Sequence, residues 1–243
     1  MNNLKIVPLK TSKDKIKQPP LAEQGMIPKL NSSTIFSGRS GSGKSVCLAN
    51  LLTRKEMLGG SFDQIYLISP TGSSDDIQKQ MGVPKDNVFT DVMLGIKEVG
   101  DALNDNRELI ESVGSDKAPL ICLIYDDCVG DKDLMREPMF VKSFIAARHF
   151  NCTTFICTQS FTRVPRVCRL QCTNAILFAA SEDETKVIAE TFTPARYSKR
   201  EFSEIVHHAT REPYSFMYIN WSAPPAERYR KNFDTMLQMD RLK

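Results

Sequence analysis

Short apolar runs alternate with longer amphipathic stretches along most of this 243-residue chain. Residues 34–36, 64–69, 120–125, 153–158, 174–178 and 214–220 are rich in β-branched and aromatic side chains. They are too short for helices and are bounded by polar or turn residues, so they read as strands. Between them the period changes to three and four. A helix over 46–52 closes between Glu56 and Gly60, and Val99, Leu103, Ile110 and Val113 mark an amphipathic helix that stops at Gly114. Phe140, Phe144 and Ala147 place another that opens at Pro138. Ser181-Glu182-Asp183-Glu184 and Ser198-Lys199-Arg200-Glu201 are Ser-x-x-Glu capping boxes, each followed by a helical pattern. The pattern over 73–90 is loose. Strands alternating with helices predict an α/β fold with right-handed crossovers, in which a mainly parallel sheet is covered by helices on both faces.

The flanks lack this periodicity. Residues 1–30 hold Pro8, Pro19, Pro20 and Pro28, and Lys5, Lys10, Lys13, Lys15, Lys17 and Lys29 outnumber Asp14 and Glu23. The segment therefore reads as an extended basic arm, either solvated or binding a partner or phosphates. The domain proper spans 31–220, and 221–243 read as a polar C-terminal tail.

Composition narrows the class. Hydrophobic residues make up 41% and charged residues 25% of the chain, which is ordinary globular usage and excludes wholesale disorder. The longest clean apolar run, 120–125, is far short of a bilayer span, and the first residues lack a leader pattern. A cytosolic protein without a membrane span is expected. Seven cysteines form no Cys-x-x-Cys pair, and His149, His207 and His208 have no metal-ligand spacing with them; reduced thiols fit this usage. The net charge of +3 by itself says nothing about nucleic acid.

One octapeptide carries most of the chemistry. Gly38-Arg39-Ser40-Gly41-Ser42-Gly43-Lys44-Ser45 follows a strand and opens a helix, which is the phosphate-binding P-loop in its proper context. Small residues let the backbone curl so that successive N–H groups face the β- and γ-phosphates. Lys44 adds charge, Ser45 offers a hydroxyl to Mg²⁺, and the helix directs its positive end at the anion. The strand 120–125 ends in Asp126 and Asp127, the Walker B form. Asp126 is assigned to the metal and Asp127 to the water that attacks the γ-phosphate. Gln159, after the next strand, emerges beside the P-loop strand as a sensor of γ-phosphate and water. Arg148, at the end of the Pro138 helix, either offsets that helix's dipole or acts as an arginine finger in an adjacent subunit.

The order of P-loop, hydrophobic-Asp-Asp, Ala147-Arg148 through Thr158-Gln159, and Asn174-Ala175-Ile176-Leu177-Phe178 resembles the FtsK/HerA superfamily, whose fold is a RecA-like P-loop NTPase. Within it, the compact length and the Asp-Asp pair are most similar to the poxvirus-type genome-packaging ATPases of large DNA viruses and virophages. The resemblance implies a homo-oligomeric ring that hydrolyses ATP with Mg²⁺ and threads double-stranded DNA into a preformed capsid. It also implies work at a virus assembly site in the host cytoplasm, contact with capsid proteins and association with the virion. It carries over Lys44, Ser45, Asp126, Asp127, Gln159 and Arg148. One departure is that such motors often have Glu where Asp127 stands. DNA contact then falls to loops, and the loop 160–169 offers Arg163, Arg166 and Arg169 for sequence-independent grip. The other reading of that loop, and of the cluster Arg228-Tyr229-Arg230-Lys231, is a solvated basic segment or a subunit contact. A helicase, a small-molecule kinase or a non-catalytic ATP-dependent scaffold remain alternatives for the chain as a whole.

Overall fold

A computed structural model describes residues 16–71, 75–128, 130–195 and 197–237. The lysines at 5, 10, 13 and 15, Gly72 of the turn after the second strand, and the last six residues of the tail lie outside the described residues.

The chain begins with the one-turn helix α1 (Pro20–Glu23), then β1 (Ser33–Ser37), α2 (Lys44–Thr53), β2 (Gln64–Ile68), α3 (Asp75–Gln80), β3 (Val88–Phe89) and α4 (Val92–Val113). It continues through β4 (Ile121–Asp126), α5 (Pro138–Ile145), β5 (Cys152–Thr158), α6 (Arg166–Gln171), β6 (Asn174–Phe178), α7 (Glu182–Phe192) and α8 (Lys199–Ala209). Three strands close it, β7 (Phe216–Asn220), β8 (Tyr229–Lys231) and β9 (Thr235–Met236). The nine strands form one sheet in the order β3-β2-β4-β5-β1-β6-β7-β8-β9. The first six in that order run parallel and the last three antiparallel.

Period-two alternation sorts the strand residues onto two cores. Ile35, Leu123, Ile156 and Ala175 face the cluster built with α4, α5, α7 and α8. Their neighbours Phe36, Ile124, Phe155 and Ile176 face the cluster built with α2. Both faces are thus covered, as the near-continuous apolar runs required.

Several elements differ from the sequence expectation, each for a local reason. Helix α4 starts at Val92 because the Asp91 carboxylate accepts from Met93 N and Leu94 N, both at 3.0 Å, and buried Val92 and Ile96 carry the spacing of Val99 and Leu103 back to that cap. The loose stretch 73–90 contains α3 and β3. Helix α5 ends at Ile145; Ala147–Phe150 form a 3₁₀ turn closed by Asn151 at φ 47°, so Arg148 sits outside the helix expected to carry it. The expected loop 160–169 contains a 3₁₀ turn and α6.

The flanks are built into the fold. The stretch expected to be an extended arm contains α1 and fully or nearly fully buries Ala22, Ile27 and Leu30. The stretch expected to be a polar tail supplies β8 and β9 and buries Tyr229, Arg230 and Leu237. Its basic cluster is engaged internally: Lys231 pairs with Glu212 at 2.7 Å and the Arg228 guanidinium lies 4.8 Å from the Trp221 ring centre. Leu30→Ala should therefore lower unfolding free energy by about 2–4 kcal/mol in urea titration; a change under about 0.5 kcal/mol would mark a surface arm.

Candidate active site

Strand order assembles the site. β4, β5 and β1 are adjacent and parallel, so their carboxyl ends emerge side by side within about 10 Å. Register sharpens this, because Asp126 lies opposite Cys157, Phe36 opposite Cys157 and Ser37 opposite Thr158. The P-loop, the acidic pair and Gln159 therefore leave the sheet at one level.

The loop after β1 has the backbone its composition predicts. Gly41 and Gly43 adopt φ of 73° and 100°, left-handed values that favour glycine, and Gly43 is the N-cap of α2. At Gly38 a Cβ would meet Phe178 Cβ at 2.6 Å and Ser42 Oγ at 2.8 Å, so only glycine fits. Lys44 Nζ donates to the carbonyls of Gly38 at 2.7 Å and Arg39 at 3.0 Å, folding the amine back over the loop. The hydroxyl of Ser42 is buried without a hydrogen-bond partner, a donor set aside for a ligand in the cradle.

Three charges share this half-buried ground. Burial pushes the Lys44 amine below its ordinary value, opposed by the carboxylates of Asp127 and Asp126. Burial raises the Asp126 carboxyl, Asp127 raises it further, and Lys44 pulls it back. Asp127 sits at φ 56°, a strained position for a side chain other than glycine. Its Oδ2 accepts from Gln159 Nε2 at 2.6 Å, tying the second carboxylate to the amide of the neighbouring strand.

Residues 40–45, Asp126, Asp127 and Gln159 all line one cleft of about 960 Å³. Gly38 and Arg39 stand behind it, holding Lys44 through their carbonyls. The far wall was not anticipated. It is largely apolar, with Leu21, Met26 and Ile27 from the segment before β1, Phe216 from β7 and Phe233 from the segment after β8. Tyr214 also lines the cleft, 73% exposed and at φ 62°, close enough that a Cβ on Gly43 would lie 3.3 Å from its ring.

Glu184 is a second residue that sequence reasoning misread. Its capping box is only half made: Ser181 Oγ accepts from Glu184 N, while the carboxylate turns to the segment after Gln159. There it accepts from Ser160 Oγ at 2.7 Å, Thr162 Oγ1 at 2.8 Å and Thr162 N at 3.0 Å. The box at Ser198 is complete, so the divergence between two identical signatures reflects tertiary contact alone.

The arginines lie elsewhere. Arg148 is exposed just before the amino end of β5, a strand length of roughly 20 Å from the cleft at its other end. Arg163 and Arg166 are exposed beyond Gln159, and Arg169 is half-buried with its guanidinium 5.6 Å from the Phe161 ring centre.

A phosphate cradle between strand and helix, with paired carboxylates on a nearby parallel strand, defines a P-loop NTPase, and the chain is an ATPase of that class. More particularly, it belongs to the poxvirus A32 protein family, whose sequence profile matches residues 28–210. Among solved structures the fold is similar to the genome packaging NTPase B204 of Sulfolobus turreted icosahedral virus 2 in complex with AMPPCP, at TM-score 0.56 and 16% identity over 79% of this chain and 93% of that one. The sulfate complex of B204 gives TM-score 0.58 and 17% identity over 85% and 98%. The pCW3 conjugation coupling protein TcpA gives TM-score 0.58 and 14% identity over 87% and 62%. A search of individually curated proteins by sequence gives no match.

Two outcomes test the geometry. A carboxyl whose folded pKa is raised contributes stability while protonated and loses it as pH rises through that pKa, so ionised Asp126 is destabilising at neutral pH. Asp126→Asn should raise the melting temperature of the nucleotide-free protein at neutral pH by about 2–4 °C, with the gain fading toward about pH 4. Glu184→Ala should lower kcat for ATP hydrolysis while leaving KM nearly unchanged, since it releases Gln159's segment without touching the cradle; a change in KM alone would assign it to binding.

Proposed function

We propose that this chain is an ATP-driven motor that moves double-stranded viral DNA into a preformed capsid, working as a homo-oligomeric ring at virus assembly sites in the host cytoplasm and remaining with the virion. The observation that carries the reading is the single cleft lined by Lys44, Ser45, Asp126, Asp127 and Gln159, in a chain that belongs to the A32 family. Among the described residues no helix is long and apolar enough to cross a membrane.

In this reading the backbone N–H groups of 40–45 and the Lys44 amine hold the triphosphate, with Lys44 exchanging its two carbonyl partners for phosphate oxygens. The base lies on the apolar side, against Tyr214 and Phe233. Ser45 and Asp126 would hold Mg²⁺. Among the described residues no group of three or more His, Cys, Asp or Glu could enclose a metal, which suits an ion that takes its other ligands from phosphate and water. Bound there, the ion would supply positive charge to offset that of the phosphates. Asp127 accepts a proton from the attacking water, and Gln159, already joined to it, orients that water toward the γ-phosphate. Arg148, on the edge away from its own cleft, is the arginine offered to a neighbouring subunit. Arg163 and Arg166 face DNA.

Turnover of ATP should rise when long duplex DNA is added, and Asp127→Asn should slow hydrolysis by about 10²-fold or more while ATP binding persists. A kinase or scaffold would give turnover indifferent to DNA, and that result, together with failure to form rings with ATP, would end the motor assignment.

A further inference from the structure

Two segments leave the carboxyl edge of the sheet beyond the catalytic residues and meet. The one after β4 brings Lys132 and Arg136, and the one after β5 brings Arg163. Together with Gly130, Asp131 and Met135 they line a groove of about 520 Å³. Gly130 and Arg163 are neighbours across it, since a Cβ on Gly130 would stand in ordinary van der Waals contact, 3.8 Å, with an Arg163 guanidinium nitrogen.

The groove is electropositive by construction. Among the described residues none of its three cations forms an ion pair. Its one acid is already committed: Asp131 Oδ1 accepts from Asp133 N at 2.8 Å and Leu134 N at 3.0 Å, capping the turn that presents Lys132 and Arg136. Glu137, just beyond the lining, accepts from Met139 N at the start of α5. Asp133 is exposed and is not part of the lining. The backbone that presents Arg163 is held in place, because Phe161 is fully buried and Thr162 donates to Glu184. Arg169, held over the Phe161 ring, is not part of the groove.

We propose that this groove binds the phosphodiester backbone of duplex DNA, through Lys132 and Arg136 as well as Arg163. The inference rests on the motor reading and deepens it. Unpaired cations on two rigid turns give grip without base contact, as a translocating protein requires. Their position adds a consequence: one turn continues from Asp126 and Asp127, the other from Gln159, so a phosphate seated between them bears on both partners of the Asp127–Gln159 hydrogen bond. The competing occupant is the exposed acidic face of α4, Glu98, Asp101, Asp105 and Glu108, on a second copy of the chain.

The test measures binding of the full chain to random-sequence duplex DNA across a salt series. Lys132→Ala, Arg136→Ala and Arg163→Ala should each weaken binding and reduce the log–log salt slope by about 0.9. Combined, they should bring the ratio of DNA-stimulated to DNA-free ATP turnover toward one. Arg200→Ala on α8 removes the same charge and should change neither, and melting temperatures verify folding. Unchanged slope and stimulation in the triple variant would overturn the groove, as would loss of ring assembly with DNA binding retained, which would assign the cations to the acidic face of a neighbour. A wild-type chain that neither binds DNA nor responds to it would instead overturn the motor reading.

Discussion

Everything at the site depends on the placement of β1 between β5 and β6, with β4 on β5's other side. Parallel pairing carries every strand's carboxyl end to one edge, and the register between β4, β5 and β1 brings Asp126, Cys157 and Phe36 to one row. A slip of one residue in β4 would reverse its side chains between faces, moving Ile124 and Leu123 to the wrong cores. The same apolar burial that stabilises the sheet thus fixes where the acidic pair stands relative to the P-loop, and the chemistry follows from packing.

That position is electrostatically tense. Lys44 and Asp126 are partly withdrawn from water and each favours the other's charge, while Asp127 beside them works against the charge on Asp126. The glycine-rich loop answers the remaining polar demand only in part, through carbonyls that engage Lys44 and a Ser42 hydroxyl left without a partner. In the proposed reading a bound triphosphate would answer these demands together, giving Lys44 an anion and the Ser42 hydroxyl a partner.

The two flanks complete the cleft. Ile27 and Phe233 come from opposite ends of the chain, yet both belong to the core on the α2 side and both face the space beside the P-loop. Helix α7 reaches in through Glu184, whose three hydrogen bonds anchor the turn between Gln159 and Arg163. The site is consequently continuous with surface elements well outside its motifs.

The sequence alone determined the fold class, the P-loop and the strands bearing Asp126, Asp127 and Gln159, because phosphate binding and buried parallel strands impose local rules: small residues at fixed offsets and unbroken apolar runs. It also located α2, α5, α7 and α8 through periodicity and capping signals. Only tertiary structure decided the rest. Strands β3, β8 and β9 are two or three residues long, too short for alternation to register, and they exist because a neighbouring strand offers its edge. Pro-rich residues 16–30 look like a solvated arm until an apolar surface is present to receive Ala22, Ile27 and Leu30. Glu184 reads as a cap because its sequence neighbours say so, whereas its actual partners are 22 and 24 positions away. Local composition specifies what a segment can do; which of those options is taken depends on the groups that folding brings within reach.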